Sequence, residues 1–238
     1  MATFVLVHGG GHGGWCFAPV ARQLRALGHE VHAPSLTGLA DRAHLLSPSV
    51  NLDTHIEDIA RLIGFEDLRD VILAGHSYGG MVITGVADRP AERLRRLVYL
   101  DASIPENGES VVSLSPGLSA FAGVRDVDGV ALGLWPEAVA GPLYGLTDPA
   151  LREWALERLT PHPWATMEQP LHLANPDAVS ALPRAILNCT QTLARRDPAV
   201  RGRWLAGDIV REIDTGHDLM LTQPDAVAAF LHDVAEHG

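Results

Sequence analysis

The sequence of 238 residues contains no lysine, so all 18 of its basic residues are arginines, and every mechanism that needs a lysine amine is excluded. Cysteine is scarce as well. Cys16 and Cys189 are far apart and match no metal-ligand or redox spacing, which predicts two reduced thiols in a cytoplasmic protein. No stretch approaches the roughly 18 apolar residues that a membrane span needs. The formal net charge of −11 disfavours nucleic acids and anionic membranes as partners.

The amino terminus, residues 1–7, lacks the basic start, long apolar centre and small-residue cleavage site of a secretion signal. We therefore expect no export. The chain has the length of one ordinary domain, with or without an insertion, and its 47% apolar residues are enough for a large core. Composition is compatible with a monomer or with a homodimer.

Short apolar runs of strand type alternate with helical stripes along most of the chain. Because strand and helix alternate, the sequence predicts an α/β fold with a mainly parallel sheet of about six strands and helices on both faces. Chemistry is then expected at the carboxyl ends of the strands. The predicted strands are 4–7, 29–34, 71–74, 96–100, 185–189 and 209–213.

The alternation stops between Ile104 and Pro183, where no clear apolar strand is visible. Tryptophans and prolines are frequent there, and Asp148-Pro149 and Asn175-Pro176 have the pattern of helix starts. We interpret residues 104–183 as a helical cap, inserted into a core formed by residues 1–103 and 184–238.

Residues 70–87 carry the strongest chemical signal. A strand-type run meets Gly75-His76-Ser77-Tyr78-Gly79, and a second apolar run of helical length follows at once. A serine in such a sharp turn needs glycines beside it, since a Cβ would not fit against the strained backbone. The pattern predicts Ser77 as a nucleophile at the end of a strand, with a helix amino terminus behind it to favour negative charge.

A serine hydroxyl needs a base to take its proton, and the base needs a carboxylate to orient it. His217 follows the last predicted strand and is the expected base. Two acids remain open. Asp101 ends the strand beside the nucleophile strand and is favoured, although it could simply cap a loop. Asp197 follows the next strand, but it comes eight residues after the last apolar residue of that strand, Cys189.

The glycine-rich loop of residues 8–14 follows the first strand, where backbone must approach some group closely. In acyl transfer, a backbone N–H from this loop and one from the residue after the nucleophile bind the developing oxyanion, at roughly 3 kcal/mol per donor. The predicted donors are the N–H groups of Gly10 and Tyr78.

The same loop has two alternative interpretations. Gly9, Gly11 and Gly14 satisfy the dinucleotide-binding spacing, but the second strand ends in Pro34 without the acid that would hold a ribose. A zinc site on two loop histidines, His8 and His12, would lack fixed ligand geometry. We therefore expect neither cofactor nor metal.

Together these motifs resemble the α/β-hydrolase superfamily, and more narrowly the plant methylesterases and hydroxynitrile lyases with their small bacterial relatives. The resemblance covers nearly the whole chain, weakens in the predicted cap, and implies an α/β-hydrolase fold with a serine triad. Its motifs are residues 4–9, 12–15, 28–31, 75–80, 97–101 and 215–220.

The chain departs from that group at three positions. The plant enzymes carry their acid where this sequence has Thr192, which favours Asp101 as a relocated acid. The lyases carry a threonine and a lysine where this sequence has Gly9 and Asp218, so cyanohydrin cleavage loses its key groups.

The sequence thus predicts a serine hydrolase that cleaves a carboxylic ester or lactone through an acyl-enzyme. An acyltransferase or cofactor-free lyase on the same scaffold, and a ligand-binding receptor, are the alternatives. The cap has few charges and several tryptophans, which favours a small to medium, mainly apolar substrate. Its expected contacts are Gly11, Ile104, Trp135 and Trp164.

Overall fold

The computed structural model describes residues 1–89, 91–135, 144–198 and 200–237. The strands are β1 Thr3–Val7, β2 Glu30–His32, β3 Val71–His76, β4 Leu94–Leu100, β5 Arg125–Val127, β6 Val130–Gly133, β7 His162–Pro163, β8 Arg184–Cys189 and β9 Ile209–Ile213. The main sheet has six parallel strands in the order β2-β1-β3-β4-β8-β9, which confirms the predicted α/β fold and strand number.

Helices connect the strands of the main sheet and cover it. No helix within the described ranges has the length and apolarity needed to cross a membrane. The helices are α1 Ala18–Ala26, α2 Leu52–Phe65, α3 Gly79–Ala87, α4 Val111–Leu114, α5 Leu118–Ala122, α6 Pro149–Leu156, α7 Ala165–Glu168, α8 Pro176–Ala181, α9 Thr190–Leu193, α10 Leu219–Thr222 and α11 Pro224–His237.

Each face of the main sheet has its own apolar core, because successive side chains of a strand point to opposite faces. Val5 and Val7 of β1 pack with α2 and α3, whereas Phe4 and Leu6 pack with α1 and α11. All four side chains are fully buried, and burial of one such side chain contributes about 1.5–3 kcal/mol. A sheet covered on both faces leaves its carboxyl edge as the place for a site.

The segment between β4 and β8 differs in part from the all-helical expectation. Its short helices include α6 and α8, where Asp148 and Asn175 cap the predicted starts by accepting backbone N–H bonds. However, β5, β6 and β7 form a small antiparallel sheet. These strands are too short for a two-residue period to show. The turn Asp128-Gly129, with both residues at positive φ, is the hairpin signal that the sequence did carry.

Candidate active site

Ser77 lies in the sharp turn between β3 and α3, with φ of +53°. Close packing explains the glycines on both sides of it. A Cβ on Gly75 would lie 2.6 Å from the carbonyl oxygen of Gly79, and a Cβ on Gly79 would lie 2.9 Å from that of His8. The strained backbone presents the serine hydroxyl at the carboxyl edge of the sheet, as its sequence context predicted.

Ser77, His217 and Asp101 form a continuous chain of hydrogen bonds. The Ser77 Oγ lies 2.8 Å from His217 Nε2, and His217 Nδ1 lies 2.6 Å from Asp101 Oδ2. Because Asp101 can only accept, Nδ1 carries the imidazole proton and Nε2 is left to accept from the serine hydroxyl. The structure therefore brings together the three side chains that the sequence singled out.

Asp101 follows β4 at a φ of +45°, and its carboxylate is fully buried. The Thr192 hydroxyl donates to it at 2.6 and 2.7 Å, and Arg196 Nη2 lies 3.3 Å from Oδ1. Burial would raise the pKa of Asp101, but the bond and charge of His217, with Arg196 and Thr192, outweigh burial and lower it to about 2. Asp197 lies at the rim, with its residue exposed.

The two predicted oxyanion donors lie at the start of α3 and in the glycine-rich loop. Within the described ranges, no residue accepts a hydrogen bond from the N–H of Gly10 or of Tyr78. The following peptide is held on both sides, since His12 Nδ1 lies 2.9 Å from the Gly10 carbonyl and the Gly11 N–H donates to His162 Nδ1 at 3.1 Å. The loop thus offers a free donor on a fixed backbone.

Four fully buried histidines surround this loop and the turn at Ser77. Burial, as the largest cause, lowers the pKa of His8 to about 3, of His55 to about 4, of His76 to about 3, and of His162 well below its usual range. Each is neutral at pH 7. His55 fixes the nucleophile turn, because its Nδ1 lies 2.8 Å from the buried Tyr78 hydroxyl.

His12 behaves differently, because its second ring nitrogen meets a carboxylate. His12 Nε2 lies 3.0 Å from Asp218 Oδ2, and both side chains are buried. With the Gly10 carbonyl at Nδ1 and ionised Asp218 at Nε2, both ring nitrogens carry protons. Burial opposes the charge, but Asp218 outweighs it and raises the pKa of His12, while His12 lowers the pKa of Asp218 against the effect of burial.

The remaining loop residues have contacts within the protein. His8 donates from Nδ1 to the Gly9 carbonyl and accepts the Leu36 N–H at Nε2, so both of its nitrogens are engaged. Gly14 has no room for a side chain beside the Ala33 carbonyl. In the part of the chain that the structure describes, no three His, Cys, Asp or Glu side chains could hold a metal ion.

A cavity of about 470 Å³ opens over Ser77. Its polar end is lined by Ser77, His217 and the glycine-rich loop of residues 8–14, called the oxyanion loop below. Tyr144 lines the same end, its buried ring stacked on His217 with centroids 6.3 Å apart. The apolar part of the cavity wall contains Val111, Leu114, Pro116, Leu118, Trp135 and Met167.

Of the four substrate contacts expected from the sequence, the structure places only Trp135 in this wall. Gly11 is not among the residues that line the cavity, and its carbonyl accepts the Thr160 N–H. Ile104 lines a separate cavity of about 330 Å³. Trp164 is buried against Gly133 of the small sheet. Composition singled out the segment but could not tell which of its aromatic residues line the cavity.

The sequence analysis did not identify the side chains that contact Asp101 and the glycine-rich loop. Thr192 and Arg196 lie one helical turn apart and meet Asp101 from α9 and the residues after it, a spacing that could have been noticed. The partnership of His12 with Asp218 spans 206 residues, and no local pattern signals it. Tyr144 has no sequence signal that we can identify.

The fold and this arrangement define an α/β hydrolase, and the chain belongs to the alpha/beta hydrolase family, which it matches over residues 4–230. The carbendazim hydrolyzing esterase of Nocardioides sp. (strain SG-4G) is 40% identical over 96% of this chain and 97% of its own length. Methylesterase 1 of Arabidopsis thaliana is 25% identical over 98% of this chain and 95% of its own.

Among solved structures, an extracellular alpha/beta-hydrolase from a Paenibacillus species superposes with a TM-score of 0.85 at 25% identity, covering 97% of this chain and 98% of that one. That protein is described as sharing structural and functional homology with tobacco salicylic acid binding protein 2. Ester hydrolysis is the class of reaction that the family and these relatives support.

Proposed function

We propose that the chain hydrolyses a carboxylic ester or lactone through an acyl-enzyme on Ser77. The observation that carries the proposal is the unbroken path from Ser77 Oγ to His217 Nε2, 2.8 Å, and from His217 Nδ1 to Asp101, 2.6 Å. Both distances are those of strong hydrogen bonds between nucleophile, base and orienting acid. The small-molecule ester partner and the cytoplasmic location belong to the same proposal.

In the proposed reaction, Ser77 Oγ bonds to the carbonyl carbon while its proton passes to His217 Nε2 and the C=O electron pair moves onto oxygen. The N–H groups of Gly10 and Tyr78 bind that oxyanion. The intermediate then expels the alkoxide, which takes the proton from His217 and leaves as the alcohol. Water attacks the acyl-enzyme in the same way, releasing the acid and restoring Ser77.

The cavity supports a small to medium, mainly apolar acyl group. Its volume of about 470 Å³ lies within the usual range for small-molecule sites, and the apolar part of its wall is built from aliphatic side chains, Met167 and Trp135. The names of two full-length relatives point to carbendazim and to methyl esters, and we propose both as assay substrates for this chain.

A fluorophosphonate probe tests the proposal, since it labels an activated serine whatever the natural substrate is. We expect rapid labelling of wild type and none of Ser77→Ala. p-Nitrophenyl esters of rising chain length, a lactone panel, methyl esters and carbendazim then define the substrate. For the ester and lactone substrates, release of free acid indicates hydrolysis, whereas product without free acid would indicate acyl transfer or a lyase. Absence of labelling in folded wild type would reject the serine mechanism.

A further inference from the structure

The His12–Asp218 pair is a buried ion pair that the proposed reaction leaves without a role. It has no direct contact with Ser77, yet it lies in the floor of the site. His12 lines the main cavity, and Asp218 directly follows His217 in the chain. An ion pair without solvent is costly to build, because neither charge is stabilised by water. A purely apolar filling would be the cheaper way to pack this volume.

The two residues of the pair lie near different groups of the proposed reaction, His12 near the oxyanion donor and Asp218 near the base. The positive end, His12, donates to the Gly10 carbonyl at 2.9 Å and therefore lies against the oxyanion loop. The negative end lies on the side of the base, where Asp218 Oδ1 is 4.0 Å from His76 Nε2, which itself donates to the His217 carbonyl at 2.9 Å.

Asp218 Oδ1 is buried and has no hydrogen-bond partner within the described ranges. His76 Nε2, at 4.0 Å, lies beyond hydrogen-bond distance of this oxygen and donates to the His217 carbonyl instead, so no hydrogen bond neutralises the oxygen's charge. Charge separates in this direction during acylation, because the substrate oxygen becomes negative over Gly10 and His217 becomes positive. Fixed charges in a water-excluded site act strongly on such a change, since no solvent has to reorient.

We propose that His12 and Asp218 are positioning residues for the transition state, with His12 fixing the Gly10 peptide and the pair providing a permanent dipole aligned with the charge separation. The proposal rests on the proposed function, because it concerns the oxyanion of that reaction. It extends the oxyanion site from two backbone donors to a buried side-chain pair.

Two variants separate the charge from the geometry. In Asp218→Asn, the amide can donate to Nε2 of a neutral His12, whose Nδ1–H still holds the Gly10 carbonyl, so mainly the charge is lost. His12→Gln removes the charge and the ring that holds the loop. If the two residues act as one unit, the double variant should resemble His12→Gln rather than the product of both effects.

The assay is turnover of a p-nitrophenyl ester, with kcat referred to active sites titrated by the fluorophosphonate. We expect kcat to fall about 10- to 100-fold in Asp218→Asn and further in His12→Gln, with KM within threefold of wild type, as for an interaction made only in the transition state. An alkyl trifluoromethyl ketone, which forms a charged hemiketal at serine, should bind more weakly by a similar factor. The corresponding methyl ketone should bind as before.

Asp58→Asn is the matched control, because Asp58 is also a largely buried carboxylate with backbone and side-chain partners. It accepts from the Thr37 N–H at 2.7 Å and pairs with Arg42 at 3.3 Å, away from the oxyanion loop. We expect its kcat within twofold of wild type.

The outcomes distinguish a failure of this proposal from a failure of the proposed function on which it rests. If fluorophosphonate fails to label wild-type Ser77, the proposed function fails. If wild type is labelled but folded Asp218→Asn and His12→Gln keep kcat within threefold, only the dipole fails. Equal weakening of both ketones, or loss of folding in both variants, would make the pair structural and would also overturn it.

Discussion

Two histidine–aspartate pairs lie in one site, and they differ in what contacts the histidine nitrogen that does not face the aspartate. His217 shares its Nδ1 proton with Asp101 and faces a hydroxyl at Nε2, so it can accept a proton. His12 binds Asp218 through Nε2 and faces the Gly10 carbonyl at Nδ1, which can only accept. The same two residue types therefore leave a ring nitrogen that can accept a proton in one place and form a fixed cation in the other.

The comparison shows that the partner of the second nitrogen, rather than the aspartate, decides what such a pair can do. In both pairs the histidine lowers the pKa of its aspartate against the effect of burial. Exposure differs as well: His217 has 14% of its side chain exposed, which leaves an approach for substrate, whereas His12 has 1%. The predictions below remove these differences one at a time.

The largest effect is expected from Ser77→Ala, which removes the hydroxyl that faces His217 Nε2. We expect ester turnover to fall by at least about 10⁴-fold, since in serine hydrolases the serine and histidine act as one unit. Substrate should still bind, because the cavity wall is unchanged. Steady-state kinetics with equilibrium binding of a methyl ketone measure both effects. Turnover within tenfold of wild type would end the assignment of the nucleophile.

Asp101→Asn should have the next largest effect. An amide can donate to Nδ1, which places the imidazole proton on Nε2 and leaves no lone pair for the serine proton. In a serine protease, the same change of the triad aspartate lowers kcat by about 10⁴-fold. We expect a similar loss of kcat here, with little change in KM.

Asp197→Asn is the control for this change, since Asp197 is the other acid that the sequence allowed. Its residue is exposed at the cavity rim, and Asp101 already occupies His217 Nδ1. We expect kcat within about twofold of wild type, measured in one assay with melting temperatures checked. A greater loss in Asp197→Asn than in Asp101→Asn would move the acid to the loop after β8.

Thr192→Val should have a smaller effect of about three- to tenfold on kcat. The substitution keeps the shape but removes the hydroxyl that donates to both oxygens of Asp101, leaving His217 and Arg196 to hold the carboxylate. Loss of one hydrogen bond to a charged group costs about 1.5–3 kcal/mol, and only part of this reaches the transition state. Thr190→Val, which removes an exposed bond to Asp214, is the control. Equal kcat in both variants would contradict a role for Thr192.

The sequence predicted the main sheet because most of its strands contain a short apolar run, such as residues 4–7 and 71–74, and these runs alternate with helical stripes. It predicted Ser77 because a strained turn requires glycines at fixed neighbouring positions, which is a local signal. The chain order of a known fold led to His217. Asp218 and His12 carry no such signal, because their meeting depends on packing over 206 residues. Likewise, short exposed strands such as Arg125–Val127 are specified by the hairpin turn rather than by their own apolar pattern.

The last prediction concerns stability rather than turnover, and it separates the charged His12 from its neutral neighbours. The pKa of His8, His55, His76 and His162 is lowered by burial, so the folded protein excludes protons that the unfolded chain binds below pH about 6.5. The free energy of unfolding should therefore fall as pH decreases from about 6.5 towards 4.5, by on the order of 1 kcal/mol per histidine per pH unit. His12, with a raised pKa, has the opposite sign. Its contribution is complete below pH 6.5 and is lost only as pH rises through its folded value.

Urea unfolding between pH 4.5 and 7.5 measures this slope, in a window above the range in which Asp101 and Asp218 take up protons. His162→Gln can keep both partners of the ring, because a glutamine amide both accepts, as Nδ1 does from Gly11, and donates, as Nε2 does to Thr166. The slope of the unfolding free energy against pH should decrease by the contribution of about one proton, because one histidine fewer takes up a proton on unfolding. Thr166→Val removes one of the same hydrogen bonds but leaves the histidine, so it should lower stability at every pH without changing the slope. If His162→Gln leaves the slope as in wild type, His162 is protonated in the folded protein, and the contrast between His12 and the neutral histidines does not hold.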